Sequence, residues 1–174
     1  MSGKTKEICT IVSQEIIGRD IYSLWLQTDK IAENAKPGQF VSLYTGNESK
    51  LLPRPISLCE IDREKGRIRL VYRVTGKNTG TEMFSHLHKK VGISTMGPLG
   101  NGFPVEAVEG KKVFLMGGGI GIPPMLETAK QLKAEKSIIL GYRDETFLTE
   151  KFEKYGKVYI ASEDGKTGTK GNVM

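Results

Sequence analysis

The chain has 174 residues, 38% of them hydrophobic, which is enough to bury a sizeable core as one domain or as two small ones. No apolar run approaches the roughly 20 residues of a membrane span, and the N-terminal MSGKTKE lacks the apolar centre of a signal peptide, so a cytoplasmic location is expected. The formal net charge of +6 is carried by scattered lysines without interleaved aromatics, which reads as a solvated basic surface ahead of a nucleic-acid site, with a face for an acidic partner protein as a third reading.

From residue 7 to about 75 the sequence is strand-like. Short β-branched or aromatic runs at Glu7 to Ser13, Asp20 to Thr28, Gln39 to Thr45, Pro55 to Ile61 and Arg67 to Thr75 are separated by turn signals at Pro37-Gly38, Gly46-Asn47 and Lys65-Gly66. Ile68, Leu70, Tyr72 and Val74 alternate onto one face. A helical piece is predicted around Thr81 to Lys89 and a sixth strand at Val91 to Met96. A closed antiparallel barrel is the economical solution, because closure removes the sheet's edges.

Gly97 to Pro104 concentrates glycine and proline, and reads as a junction between a barrel domain, residues 1–98, and an α/β domain, residues 99–174. Beyond it the pattern predicts strands at Val113 to Met116, Ser137 to Gly141 and Val158 to Ala161, with helices at Pro123 to Glu135 and Glu145 to Tyr155. That alternation is a βαβαβ unit with a parallel sheet. Asp164 to Met174 reads as a polar loop with no closing element, so an open edge strand and an incomplete, truncated nucleotide-binding unit are expected.

The α/β half is organised around Lys111 to Gln131. Its first strand runs into Gly117-Gly118-Gly119-Ile120-Gly121, where only Ile120 has a bulky side chain, so a ligand can lie against the backbone N–H groups. Pro123-Pro124 suits a first helical turn, and Met125, Leu126, Ala129 and Leu132 give the helix an apolar stripe. Ile122 stands where the dinucleotide fingerprint has its third glycine, so a tight strand-to-helix connection without ligand stays open.

In the barrel half, Arg54-Pro55-Ile56-Ser57 brings a planar fork of donors suited to phosphate oxygens beside a hydroxyl able to donate to a ring nitrogen. Gly76 to Thr81 offers backbone N–H groups to a pyrophosphate; a surface arginine at a turn, and a plain loop with Thr81 as helix cap, are the alternatives. His86 and His88 lie two apart and point in different directions, so they read as surface residues. Cys9 and Cys59, the two cysteines, fit neither a disulfide framework nor metal-ligand spacing, and no metal site is expected.

Arg54-Pro55-Ile56-Ser57, Val71-Tyr72-Arg73, Gly80-Thr81, Gly97-Pro98-Leu99-Gly100 and Gly117 to Pro124 occur in the order found in ferredoxin reductase-type flavoproteins, and the chain resembles that family over essentially its whole length, most of all the electron-transfer subunits of type B dihydroorotate dehydrogenases. The resemblance implies an FAD-binding Greek-key barrel followed by an NAD-binding α/β domain. It implies Arg54 on the flavin phosphates, Pro55 and Ile56 beside it, and Ser57 near the reactive flavin nitrogen as the catalytic position. Val71, Tyr72 and Arg73 would line the flavin nucleotide, Gly80 and Thr81 would hold its pyrophosphate, and Gly117, Gly118, Gly119, Ile120, Gly121 and Pro123 would receive the nicotinamide dinucleotide. Asn78-Thr79 reads as a two-residue insertion relative to that family.

The resemblance further implies an oxidoreductase subunit passing electrons between NAD(H) and a catalytic dehydrogenase partner that oxidises dihydroorotate in pyrimidine biosynthesis. A subunit of a ferredoxin:NADP⁺ reductase or sulfide dehydrogenase, and a non-catalytic docking module, are the rivals. The family also carries a two-iron two-sulfur centre on four cysteines, for which this chain has no ligands. Arg143 could meet a 2′-phosphate, but Asp144 and Glu145 beside it favour NAD.

Overall fold

The computed structural model describes residues 3–173. Six antiparallel strands close into a barrel: β1 (Thr5–Gly18), β2 (Ile21–Gln27), β3 (Phe40–Leu43), β4 (Arg54–Asp62), β5 (Arg67–Arg73) and β6 (Gly92–Leu99), in the order β1-β2-β5-β4-β3-β6. Ile68, Leu70 and Tyr72 point inward as their alternation predicts, joining Ile11, Leu24, Leu26, Val41, Leu43 and Leu58 in one buried core. Each fully buried aliphatic side chain of this kind is worth about 1.5–3 kcal/mol.

Two short helices cover the barrel's ends, α1 (Ile31–Asn34), which the strand pattern does not foretell, and α2 (Gly80–Ser85). Thr79, not Thr81, caps α2, its side-chain oxygen accepting from the Glu82 N–H at 3.2 Å. Asn78 makes the preceding turn with φ of 57°, so the Asn78-Thr79 pair is absorbed as turn and cap. Strand β6 continues through Gly97 and Pro98 to Leu99, and those residues belong to the barrel rather than to a linker.

The second sheet is built from β7 (Lys112–Gly118), β8 (Glu135–Tyr142), β9 (Lys157–Ser162) and β10 (Thr169–Lys170), all parallel, in the order β10-β9-β8-β7. Helices α3 (Pro123–Gln131) and α4 (Thr149–Phe152) are both shorter than the periodicity predicts. The tail departs further from expectation. Thr169 and Lys170 pair with Ala161 and Ser162, so the polar stretch contributes a fourth strand.

The barrel and the second sheet share a core. Ile21, Cys59 and Val71 from the outside of the barrel pack with Leu115, Ile122, Leu126, Ala129, Leu140 and Phe152. The opposite face of the sheet is open: the register puts Met116, Ile139 and Tyr159 in one row with Phe114 beside them, and Phe114 is 78% exposed.

Candidate functional site

The structure presents two cradles. The first lies where β4 begins. Arg54 donates from Nη1 to the Leu52 carbonyl at 2.7 Å, and the guanidinium then runs across the N-terminus of α2, so close that a Cβ on Gly80 would lie 2.6 Å from Nε and 3.1 Å from Cζ. A residue with a Cβ there would force the Arg54 side chain to shift. Thr81 is nearly buried, its hydroxyl 3.1 Å from that of Thr79, and Thr79 in turn donates to the Gly76 carbonyl at 2.9 Å. A cavity of about 490 Å³ opens beside Arg54, bordered by Lys50, Leu52 and Asn78.

Ser57, three residues along β4, pairs with Phe40 of β3 and is half-buried, and its hydroxyl makes no hydrogen bond to the described residues. Ile56 packs on the barrel core and Pro55 is exposed. An arginine fork with most of its donors unspent, a glycine that clears its path and an unspent hydroxyl suit a phosphate-bearing, flat cofactor such as FAD.

The side chains of the Val71-Tyr72-Arg73 segment lie in three different settings. Val71 is buried in the shared core and Tyr72 inside the barrel, where its hydroxyl donates to Gln14 Oε1 at 2.9 Å, its ring stacks on Tyr22 at 5.7 Å and meets Phe84 edge-on at 6.3 Å. Burial, more than the neighbouring Tyr22, pushes the Tyr72 phenol above its ordinary pKa. Neither side chain is on an open surface, and Arg73 alone of the three is exposed. It faces the second cradle.

That second cradle is a cleft of about 480 Å³ at the C-terminal ends of the parallel strands, where open α/β sheets take their ligands. Arg73, Gly118, Gly119, Ile120, Gly141, Arg143 and Val173 border it. Gly119 adopts φ of 52° with open space where a Cβ would stand, and Gly121 is likewise open. Gly117 packs against the Ile122 backbone, and Pro123 opens α3 at N1.

Sequence reasoning did not single out Gly141 and Val173. A Cβ at Gly141 would come within 2.7 Å of Val173, so the tail crosses the strand ends over two glycines, 118 and 141. A glycine ending an apolar strand was the available signal for the first; nothing local marks the second.

The loop after β8 is tied down. The buried Tyr142 hydroxyl donates to the Phe147 carbonyl at 2.9 Å and lies 2.9 Å from the Thr149 hydroxyl. Glu145 accepts from the Arg19 N–H at 2.8 Å and Asp144 lies 3.8 Å from the Arg19 guanidinium, both contacts exposed, while Arg143 borders the cleft. Among the described residues no three His, Cys, Asp or Glu side chains gather as metal ligands, and no helix is long and apolar enough to cross a membrane.

Residues 8–103 match the oxidoreductase FAD-binding domain family. The chain is 43% identical over 173 residues to the dihydroorotate dehydrogenase B (NAD⁺) electron transfer subunit of Streptococcus thermophilus, covering 96% of this chain and 66% of that protein. It is 41% identical to the subunit of that name from a Geobacillus strain, covering 97% and 67%. Its backbone is similar to an NADH-dependent reduced ferredoxin-NADP oxidoreductase, with TM-score 0.83 and 28% identity over 95% of this chain and 60% of the other. A flavohemoglobin from Malassezia yamatoensis shares the fold at TM-score 0.81 and 19% identity, over 97% and 48%. The chain spans about two thirds of the length of the curated relatives it matches.

Proposed function

The chain belongs to the flavoprotein oxidoreductases that carry this FAD-binding domain, and on that premise we propose that it is the FAD-binding electron-transfer subunit of a dihydroorotate dehydrogenase of the NAD-linked type. In this reading residues 1–98 hold the flavin and residues 99–174 receive NAD(H). A separate catalytic subunit oxidises dihydroorotate in pyrimidine biosynthesis, and the complex is cytoplasmic.

The observation that carries the reading is the Arg54–Gly80 contact. A guanidinium that passes over the start of α2, where a Cβ on Gly80 would crowd it, supports reading this end of β4 as a phosphate cradle. Arg54 neutralises and orients the phosphates there, and Gly80 and Thr81 offer the backbone N–H and hydroxyl of the first helical turn. Ser57 is the hydroxyl placed to hydrogen-bond the flavin ring, and its donor is uncommitted. FAD supplies the conversion between a two-electron hydride and single electrons that such a subunit needs.

The Gly117–Gly121 turn gives the dinucleotide close access to backbone N–H groups, with Arg73 reaching in from the barrel side. Asp144 and Glu145 border the same cleft as Arg143, and their carboxylates favour NAD over a dinucleotide bearing a 2′-phosphate. The family's two-iron two-sulfur centre has no ligand set in Cys9 and Cys59, which are buried in separate cores, so no electron step is assigned to these residues.

Fluorescence titration of the flavin-stripped chain with FAD tests the reading. One equivalent taken up by the wild type with loss of tight binding in Arg54→Ala is the expected result; a chain that binds no FAD overturns it.

A further inference from the structure

Helix α3 touches both cradles indirectly. Its N-terminus follows the Gly117–Gly121 turn, and its body lies along β4, the strand that begins with Arg54 and Ser57. Strand β3 pairs with β4 only along Arg54 to Ser57, so the later part of β4 has no strand on that side. Ile61 there turns both of its backbone groups toward α3.

Those groups are met by an i,i+3 pair of opposite charge. Glu127, 1% exposed, accepts from the Ile61 N–H through Oε2 at 2.8 Å, while Lys130 donates from Nζ to the Ile61 carbonyl at 3.3 Å. Lys130 Nζ lies 3.7 Å from Glu127 Oε2, and Gln131 donates to Glu127 Oε1 at 2.6 Å, so the buried carboxylate is fully partnered. Acceptor and donor together imitate a residue of a neighbouring strand.

We propose that Glu127 and Lys130 are positioning residues, a clamp that sets the orientation of the nucleotide-binding sheet on the barrel and thereby the geometry in which the flavin and nicotinamide cradles face each other; this rests on the function proposed above. The apolar contacts of the seam, among them Cys59, Val71, Leu126 and Ala129, are non-directional and tolerate sliding. Directional bonds to one backbone residue admit a single register. A buried carboxylate where an apolar side chain would pack at least as well is explained by such a register role. The ion pairs that do cross the seam, Lys151 with Glu60 and Arg19 with Asp144, are more exposed and hold less firmly.

The test pairs a distance measurement with a rate. Spin labels at Glu33→Cys on α1 and Lys154→Cys after α4, both exposed sites, report the distance between the halves, since Cys9 and Cys59 are buried. The wild type should give one narrow distance distribution. Glu127→Leu should broaden it and slow flavin reduction by NADH about tenfold or more, with FAD affinity unchanged. Glu127→Gln, which keeps an acceptor for the Ile61 N–H, should restore the narrow distribution and most of the rate, and Lys130→Met should fall between them. A wild-type distribution and rate in Glu127→Leu overturn the clamp, as does a rate loss matched by equal loss of FAD binding. Should the wild type bind no FAD, the functional reading fails, and the distance distributions still decide whether the clamp exists.

Discussion

Arg54 and Gly80 show how a pair distant in sequence becomes one device. Arg54→Ala removes charge-assisted hydrogen bonds and should weaken FAD binding by about 1.5–3 kcal/mol. Gly80→Ala should also weaken it, for a different reason, since its Cβ would come within 2.6 Å of Arg54 Nε and make that side chain shift. Because both act through one contact, the double variant should lose little more than either alone, and fully additive losses in the titration would show that the two residues work separately. In the second cradle, Gly119→Val is a compromised probe, because its φ of 52° strains any side chain before a ligand arrives. Gly121→Ala is cleaner: its Cβ would meet no protein atom, so a lowered NADH affinity with unchanged thermal stability would place the dinucleotide against it. The motifs at 54–57, 80–81 and 117–123 were legible as sequence, each by its glycine or its donor chemistry. That Arg54 lies on Gly80, and that Arg73 faces the other cradle while Val71 and Tyr72 are buried, follows from the barrel's strand order, which no local pattern encodes.

The strands were easier to read than the helices. Alternation put Ile68, Leu70 and Tyr72 on the barrel's inner face because a period of two has one solution once a face is buried. Helix α3 was expected to reach Glu135 but ends at Gln131, since Leu132 turns extended and β8 must begin at Glu135 to pair with Lys112. Helix α4 was expected from Glu145 and starts at Thr149. Leu148 with φ of 64° blocks an earlier start, and Tyr142 holds Phe147 and Thr149 by its hydroxyl. Both limits are tertiary contacts that override a helical period. Tyr142→Phe should therefore cost about 0.5–1.5 kcal/mol in denaturant unfolding and speed amide exchange in residues 143–149 at the edge of the cleft. Unaltered exchange in that loop would mean that the Arg19 contacts to Asp144 and Glu145 suffice to hold it.

The molecule as a whole joins a sheet closed on itself to a sheet with an open apolar face, and its two thiols report on different parts of that arrangement. Cys9 lies in the barrel core and Cys59 in the seam between barrel and sheet. Burial, the largest influence on both, raises the Cys9 thiol from 9.0 to about 12 and the Cys59 thiol further still, against the partial relief that Thr95 and Arg69 give. At pH 8 neither is a thiolate in the folded chain, so alkylation requires opening. For Cys9 the folded value lies above the unfolded one, so its contribution to stability is fully present below about pH 9 and is lost as pH rises toward 12. Opening should not be uniform. The barrel has no edge strand, whereas the sheet presents Phe114, Met116 and Tyr159 to solvent and is bounded by the two-residue β10. Residues 137–161 should thus exchange amide hydrogens sooner than residues 39–75, and pulsed alkylation at pH 8 should modify Cys59 before Cys9, with Cys59→Ser used to isolate the slower site. Simultaneous labelling of both thiols, together with matched exchange in the two segments, would show that the shared core makes barrel and sheet a single cooperative unit.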